Sequence, residues 1–282
     1  MLGRTHGQPG VPITFGFKQA QWGEELARSR DRLDEGRRRW ETAQLGGSVG
    51  SLAFWGADAP ALMGAFARRI GLAAPVLPWA SARDCVAEFG VFAALLGASL
   101  ARIGNEIYQL QRPEIGELGE EWTGDQIGSV TMPQKRNPER SEQLVTLGRL
   151  LRSYALVLLE SAVVEHERDG RAWKAEWVAP PDVCCAVTRA SSLCVKLLAS
   201  LEVHADRMHT NVGDRGGVAM SERAVRLLEP RLGRAGAYAA VRQAAAATQA
   251  GRLAHLGDAL AKAATGCPAD LDLGRLRDRG PL

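Results

Sequence analysis

The stretch Val86–Leu110, VAEFGVFAALLGASLARIGNEIYQL, places apolar side chains at Val86, Phe89, Ala93, Leu96, Leu100, Ile103, Ile107 and Leu110. Steps of three and four residues line one face of an α-helix, so the spacing predicts a single helix of about seven turns. Gly90, Gly97 and Gly104 recur one heptad apart inside it. Each glycine costs helix propensity, and the close approach of a second helix is the expected compensation.

The same periodicity appears on both sides of this stretch. Leu144, Leu147, Leu151, Ala155, Leu158 and Ala162 predict a second long helix. A third begins near Phe17, with Glu24 and Glu25 ahead of Arg28 at pair-forming spacing, and a fourth starts at Pro180-Pro181-Asp182 and runs to about Leu201. No sustained alternation of apolar and polar residues supports a sheet. The expected fold is all-α, a bundle of helices longer than a compact globule needs. Beyond SLEVHADRMHTNV the chain is richer in Gly and Arg, and GDRGG at Gly213–Gly217 reads as a linker or turn. The expected division is a central helical bundle over residues 1–205 and a small C-terminal helical domain over 206–282.

Among the 282 residues, 35 are basic and 32 acidic, 46% are hydrophobic and 6% aromatic. That is globular composition with material for one or two domains. The charges are scattered and form no basic tail, which leaves nucleic-acid binding without support. Cys85, Cys184, Cys185, Cys194 and Cys267 form no C-x-x-C pair. They read as free thiols in a reducing compartment, with Cys184, Cys185 and Cys194 in the core, and no metal site is expected. His204, His209 and His255 have no motif around them and read as surface residues. No apolar run approaches the roughly 20 residues of a membrane span, and no signal-like segment opens the chain. The expectation is a cytoplasmic protein without membrane partners.

Between the apolar faces of Val86–Leu110 and Leu144–Ala162 lies GSVTMPQKRNP, Gly128–Pro138. Gly128 gives backbone freedom, Ser129 and Thr131 bring hydroxyls, Pro133 and Pro138 restrict the loop, and Lys135 and Asn137 supply a cation and an amide. Such a set binds anions and contains a possible nucleophile or base, although turns are built from the same residue types.

The order of residues in this loop resembles the signature of the fumarase/aspartase superfamily, G-S-S-x-M-P-x-K-x-N-P, with Val130 where a second serine is usual. The opening GRTHGQPGVPITFG is similar to the same superfamily's T-H-x-Q segment, with Thr5, His6 and Gln8 in place. The resemblance continues through EHERDGRAWKAEW and VHADRMHTNV and so covers essentially the whole chain. Members usually begin with a further N-terminal domain, so the resemblance implies a fragment or a misplaced gene start.

What the resemblance implies is a long-helix bundle with a small C-terminal helical domain, no cofactor, and β-elimination on a succinyl-type carboxylate. A proton leaves the carbon beside a carboxylate, and the resulting carbanion expels the leaving group. Such a step needs a strong base and fixed positive or hydrogen-bonding groups around the developing charge. By resemblance Ser129 is the base, Lys135 and Asn137 stabilise charge, and Thr131 belongs to the substrate-binding set. Met132 and Pro133 shape a loop that closes on substrate, ordering from about Gly124 to Asn137. His6 is the acid or acid-positioning group, and Thr5 and Gln8 bind carboxylate. Arg168 is a further carboxylate ligand because a guanidinium binds carboxylate bidentately. Glu165 and His166 either orient it, reach the site themselves or sit on a solvated charged helix end, and Arg4 is either a carboxylate ligand or a structural ion-pair residue. The superfamily builds each active site from three chains of a homotetramer.

Three branches resemble the chain. Adenylosuccinate lyases share the RTHG and NEIYQLQ character, but GRAWKAEW replaces the serines that hold the nucleotide phosphate there. AWKAEW and QLGGSVGSLAFWG resemble 3-carboxy-cis,cis-muconate cycloisomerases, while His6 leans toward a true lyase. A cycloisomerase-like lyase acting on a small 2-substituted succinate, as nitrosuccinate lyases do, joins the two observations and ranks first. Adenylosuccinate lyase is the second reading, and an inactive helical assembly partner is the third.

Overall fold

The computed structural model describes residues 1–123, 128–213 and 216–263. Its helices are α1 (Phe15–Trp40), α2 (Ala59–Ile70), α3 (Asp84–Leu110), α4 (Glu139–Glu160), α5 (Gly170–Ala175), α6 (Ala179–Ala199), α7 (Ala205–Gly213), α8 (Ser221–Gln249) and α9 (Leu256–Ala263). The strands are β1 (Leu2–Thr5), β2 (Gln8–Pro12), β3 (Leu118–Glu120) and β4 (Leu201–Val203), paired β1 with β2 and β3 with β4. The helical expectation holds. Two short ribbons are added that periodicity did not reveal, because strands such as LGRT and QPGVP are brief and carry Gly and Pro.

Two compact units emerge. One comprises Trp22–Gln109 and Glu120–Leu201; the other comprises Met1–Gln21, Leu110–Gly119 and the chain from Glu202 onward. Both are discontinuous in sequence, unlike the expected division into 1–205 and 206–282. The side chains explain the difference, since Leu2 belongs to the same buried cluster as Val212, Met220, Leu228 and Leu256.

In the first of these units the long helices run up and down. The glycines of α3 meet leucines of α4 in reverse order. A Cβ on Gly90 would lie 2.5 Å from Leu158 Cδ1, one on Gly97 2.5 Å from Leu151 Cδ1, and one on Gly104 2.9 Å from Leu144 Cβ. Gly148 returns the fit, since a Cβ there would stand 2.5 Å from the Gly97 carbonyl and 2.7 Å from Ala101 Cβ. Leu144, Leu151 and Leu158 are buried accordingly. Helix α1 runs against α3 with Arg39 paired to Glu88 and Glu25 to Arg102, and Trp40 packs on Phe89 and Phe92. Helix α6 runs antiparallel to α4, marked by Tyr154 Oη donating to Asp182 at 2.8 Å and Arg140 donating to Ser200 Oγ at 2.7 Å.

Helix α3 is also the one described helix long and apolar enough to cross a membrane by length and composition, which corrects the reading of the apolar runs. Half of its most apolar window is buried, and its other contacts include ion pairs with α1. Those features belong to a core helix. Cys194 is buried, and its thiol is pushed up to about 11 by desolvation, whereas Cys184 and Cys185 are exposed, contrary to expectation. They fall between Val183 and Ala186, outside the buried seam of α6. Cys267 lies outside the described residues.

In the second unit, β1 and β2 form a hairpin whose two-residue turn is His6-Gly7, with φ of 53° and 71°. Positive φ at both turn positions is the geometry that matches strand twist in tight hairpins. Arg4 on β1 grips Glu117 with two bonds of 2.9 Å, and Asn211 on α7 donates to the same carboxylate at 2.9 Å and to the Ile115 carbonyl at 2.9 Å. Glu117 is fully buried, so its charge depends on these partners. His255 is half-buried rather than a surface residue: it precedes α9, and its Nδ1 accepts the Gly257 N–H at 3.0 Å.

Two stability outcomes follow from this packing. Overpacking costs about 1–3 kcal/mol, at the upper end where backbone is struck, and glycine-to-alanine returns about 1 kcal/mol of helix propensity, so Gly148→Ala, which meets the Gly97 carbonyl, loses up to about 2 kcal/mol. Gly90→Ala meets only the end of a leucine side chain and stays near neutral; urea denaturation of both variants reads the difference. Glu117→Ala strands the Arg4 charge and lowers stability by about 3 kcal/mol, with Glu117→Gln losing less because its amide oxygen still accepts a bond.

Candidate active site

The expected site residues fall in three places. Thr5, His6 and Gln8 sit at the tip of the β1–β2 hairpin, all exposed, with Thr5 paired to Gln8 across the turn. His6 is a non-glycine residue in the left-handed region, a conformation that costs free energy and persists only where its surroundings enforce it. The turn supplies that constraint, and the Arg4–Glu117 pair ties down the strand that enters it. The guanidinium of Arg4 is engaged in a structural ion pair, one of the two alternatives for this residue.

The loop Gly128–Pro138 is the second place. Ser129 Oγ accepts the Met132 N–H at 3.1 Å, and the Lys135 N–H donates to the Met132 carbonyl at 2.9 Å. An N–H aimed at a hydroxyl oxygen favours its ionised form, the form that a base requires. Asn137 Nδ2 donates to the Gly128 carbonyl at 2.6 Å and so clasps the two ends of the loop, leaving its second N–H and its Oδ1 for other partners. Thr131 and Lys135 are exposed. Arg136 stacks on the Trp122 ring at 5.6 Å. Of the span expected to order on substrate, Gly124–Ile127 lies outside the described residues.

The exit of the loop is fixed by a residue that sequence reading missed. Glu120 on β3 accepts the Arg140 N–H and the Ser141 N–H, both at 3.0 Å, and the Ser141 hydroxyl at 2.6 Å. Pro138 offers no side-chain cap, so this carboxylate satisfies the unpaired N–H groups at the start of α4 and complements its dipole. No local spacing signals such a cap, because its acceptor and donors are about twenty residues apart.

Arg168 is the third place. Its Nη2 donates to the Gly47 carbonyl at 2.6 Å, and its guanidinium lies 5.2 Å from the Trp173 ring centre. It lines a cavity of about 390 Å³ together with Gln44, Gly46, Trp79, Arg83 and Trp173. The doubled glycine Gly46-Gly47 was the one visible signal of this cavity, since Gly47 has a φ of 68°. Glu165 does not orient Arg168: it pairs with Arg171 at 2.8 Å, and Asp169 pairs with Arg171 as well. The side-chain bonds from Arg171 hold the Asp169 carboxyl well below the usual carboxylate range, and Asp169 caps α5 by accepting the Arg171 N–H. His166 is exposed, with a φ of 57°.

The loop and the cavity are not brought together within one chain. The loop runs into the start of α4, while the Arg168 segment follows its end, and the helix has 22 residues. At 1.5 Å per residue these ends are about 33 Å apart. The cavity stays at the far end, because Gly47 follows α1, and α1 ends beside the start of α3 where Gly90 meets Leu158.

Comparison with known proteins identifies the family. Residues 1–150 match the model of a protein family described as lyase. The chain is 37% identical over 238 residues to an N-acetyl-S-(2-succino)cysteine lyase of Dickeya dadantii, covering 84% of this chain and 52% of that protein. It is 37% identical over 243 residues to a 3-carboxy-cis,cis-muconate cycloisomerase of Pseudomonas aeruginosa, covering 86% and 53%. The crystal structure of the 3-carboxy-cis,cis-muconate lactonizing enzyme of Pseudomonas putida superimposes with a TM-score of 0.88 at 33% identity, covering 99% of this chain and 62% of that one. The chain thus spans about half the length of the curated relatives it matches. With a helical bundle of the same architecture and the signature loop at the head of α4, this chain belongs to the lyase family, within the fumarase/aspartase superfamily that its loop resembles.

Proposed function

We propose that the protein is a cycloisomerase-like lyase that carries out β-elimination on a small 2-substituted succinate, a di- or tricarboxylate, through a carbanion. The observation that carries this reading is the Ser129 hydroxyl, held by the Met132 N–H in a loop that also presents Lys135. Ser129 removes the proton beside a carboxylate. Lys135, Thr131 and the remaining groups of Asn137 receive the charge that grows on the carboxylate oxygens, and the clasp to Gly128 holds them in position beforehand. His6 delivers or positions a proton on the leaving-group side, with Thr5 and Gln8 on a carboxylate. Relatives named for succinocysteine elimination and carboxymuconate cyclisation support a small carboxylate substrate.

Active sites shared between the subunits of a homotetramer are part of the same proposal. Loop and Arg168 stand at opposite ends of α4, so a single small substrate that touches both must take them from different chains. Exposed Leu95 on α3, Leu150 and Val157 on α4 and Val195 on α6 offer apolar surface for the association. No nucleic acid, membrane or cofactor enters the reading, and the free thiols of Cys184 and Cys185 suit a cytoplasmic setting.

In the full-length product of the gene, assayed by ultraviolet absorbance against 2-substituted succinates and carboxymuconate, Ser129→Ala lowers the maximal rate by roughly 10²- to 10⁴-fold with little change in substrate binding. Lys135→Ala weakens binding and rate together, because its cation serves both the ground-state carboxylate and the intermediate. Near-normal turnover in Ser129→Ala would remove the serine as base. Light scattering gives four subunits if the assembly is right, and a stable monomer defeats that part.

A further inference from the structure

The cavity around Arg168 is lined by three charged residues, Arg83, Arg168 and Asp169, and among the described residues only Arg168 lacks an opposite charge. Arg83 is paired with Glu176, the two side chains 13% and 7% exposed, and Arg83 also stacks on Trp79 at 4.7 Å. Asp169 is held by Arg171. Among the described residues no carboxylate pairs with Arg168, whose bond to Gly47 occupies one nitrogen and leaves the rest of the guanidinium edge for a ligand. Two indoles, Trp79 and Trp173, are part of the lining. Trp79 Nε1 donates to the Ala43 carbonyl at 2.9 Å, and the Trp79 N–H donates to Gln44 Oε1 at 3.0 Å, so its ring is anchored with no donor to spare. It presents carbon alone.

We propose that this cavity is a specificity pocket for a carboxylate carried on an apolar arm, with the carboxylate on Arg168 and the arm between Trp79 and Trp173. The proposal rests on the reading of Arg168 as a substrate ligand and names the chemistry it selects. A single available cation suits a single carboxylate, and bidentate recognition by a planar guanidinium is strongest for that group. A phosphate dianion would need a second unpaired donor charge, and Glu176 has already neutralised Arg83. A volume of about 390 Å³ is at the small end of ligand pockets and suits a short arm.

The test labels the indole nitrogens of the seven tryptophans in the 282-residue chain and follows them by nuclear magnetic resonance, with Trp79 and Trp173 assigned by Trp→Phe variants. Sorbate, acetate and inorganic phosphate are the probes. The expected result is that sorbate moves the Trp79 and Trp173 signals at millimolar concentration, acetate binds roughly tenfold more weakly, and phosphate moves neither. Arg168→Gln abolishes the sorbate response. Trp173→Ala, at a half-exposed position on a short helix, brings sorbate down to the acetate level with helicity unchanged. Phosphate acting as strongly as sorbate, sorbate binding no better than acetate, or a response that survives Arg168→Gln would each overturn the pocket. Elimination is measured separately, so turnover without any shift at Trp173 overturns the pocket alone, while pocket binding without turnover overturns the reaction alone.

Discussion

The close contact between α3 and α4 is the constraint on which the rest of the bundle depends. Three glycines a heptad apart receive three leucines in antiparallel order, and Gly148 lets the α4 backbone come up against Gly97. A methyl group at Gly148 would strike the Gly97 carbonyl and hold the helices apart, so the helix propensity lost at the glycines of this seam is offset by buried leucine surface, at roughly 25 cal/mol per Å². The interlock also sets where α4 begins and ends. It therefore places the loop that precedes Glu139 and the Arg168 segment that follows Glu160, although neither touches the glycine seam.

Legibility in the sequence follows the range of the interaction. Helices α3 and α4 were visible because their apolar spacing is local, and the start of α6 was visible because Pro180 and Pro181 fit its first turn. The loop was readable as a motif because its residues are consecutive. Arg168 bonding to Gly47 across 121 positions, and Arg4 bonding to Glu117 across 113, leave no such local trace. The exposure of Cys184 and Cys185 was misread for a related reason. An apolar segment shows that a helix is buried on one face, but which residues take that face depends on the neighbour, here along Val183, Ala186, Ala190 and Leu197.

The ends of α4 divide the chemistry between them. At its head, Glu120 supplies the cap that Pro138 cannot, so the loop enters a helix whose first N–H groups are already satisfied. The backbone between Gly128 and Pro138 is then held at both ends, by Asn137 on one side and the capped turn on the other, while Ser129 and Lys135 stay on its accessible part. Rigid ends with an open centre are what a site needs if groups are to meet a charge that appears only during reaction. At its foot, α4 leads to the Arg168 cavity, whose proposed task is different, recognition of a group that does not react.

The pairing of the arginines around these places separates architecture from recognition. Arg4 is committed to the buried Glu117, Arg83 to the nearly buried Glu176 and Arg171 to Asp169. A buried charge without its partner would be costly, so the Arg4 and Arg83 pairs support the fold rather than forming a reserve of binding capacity. Arg168 is held differently, by a carbonyl and an aromatic ring, which orient its plane without neutralising its charge. A cation that the fold orients but does not neutralise keeps its attraction for an anion from outside. That contrast, rather than the mere presence of arginine in EHERD, is what supports the proposed role of Arg168 in recognition.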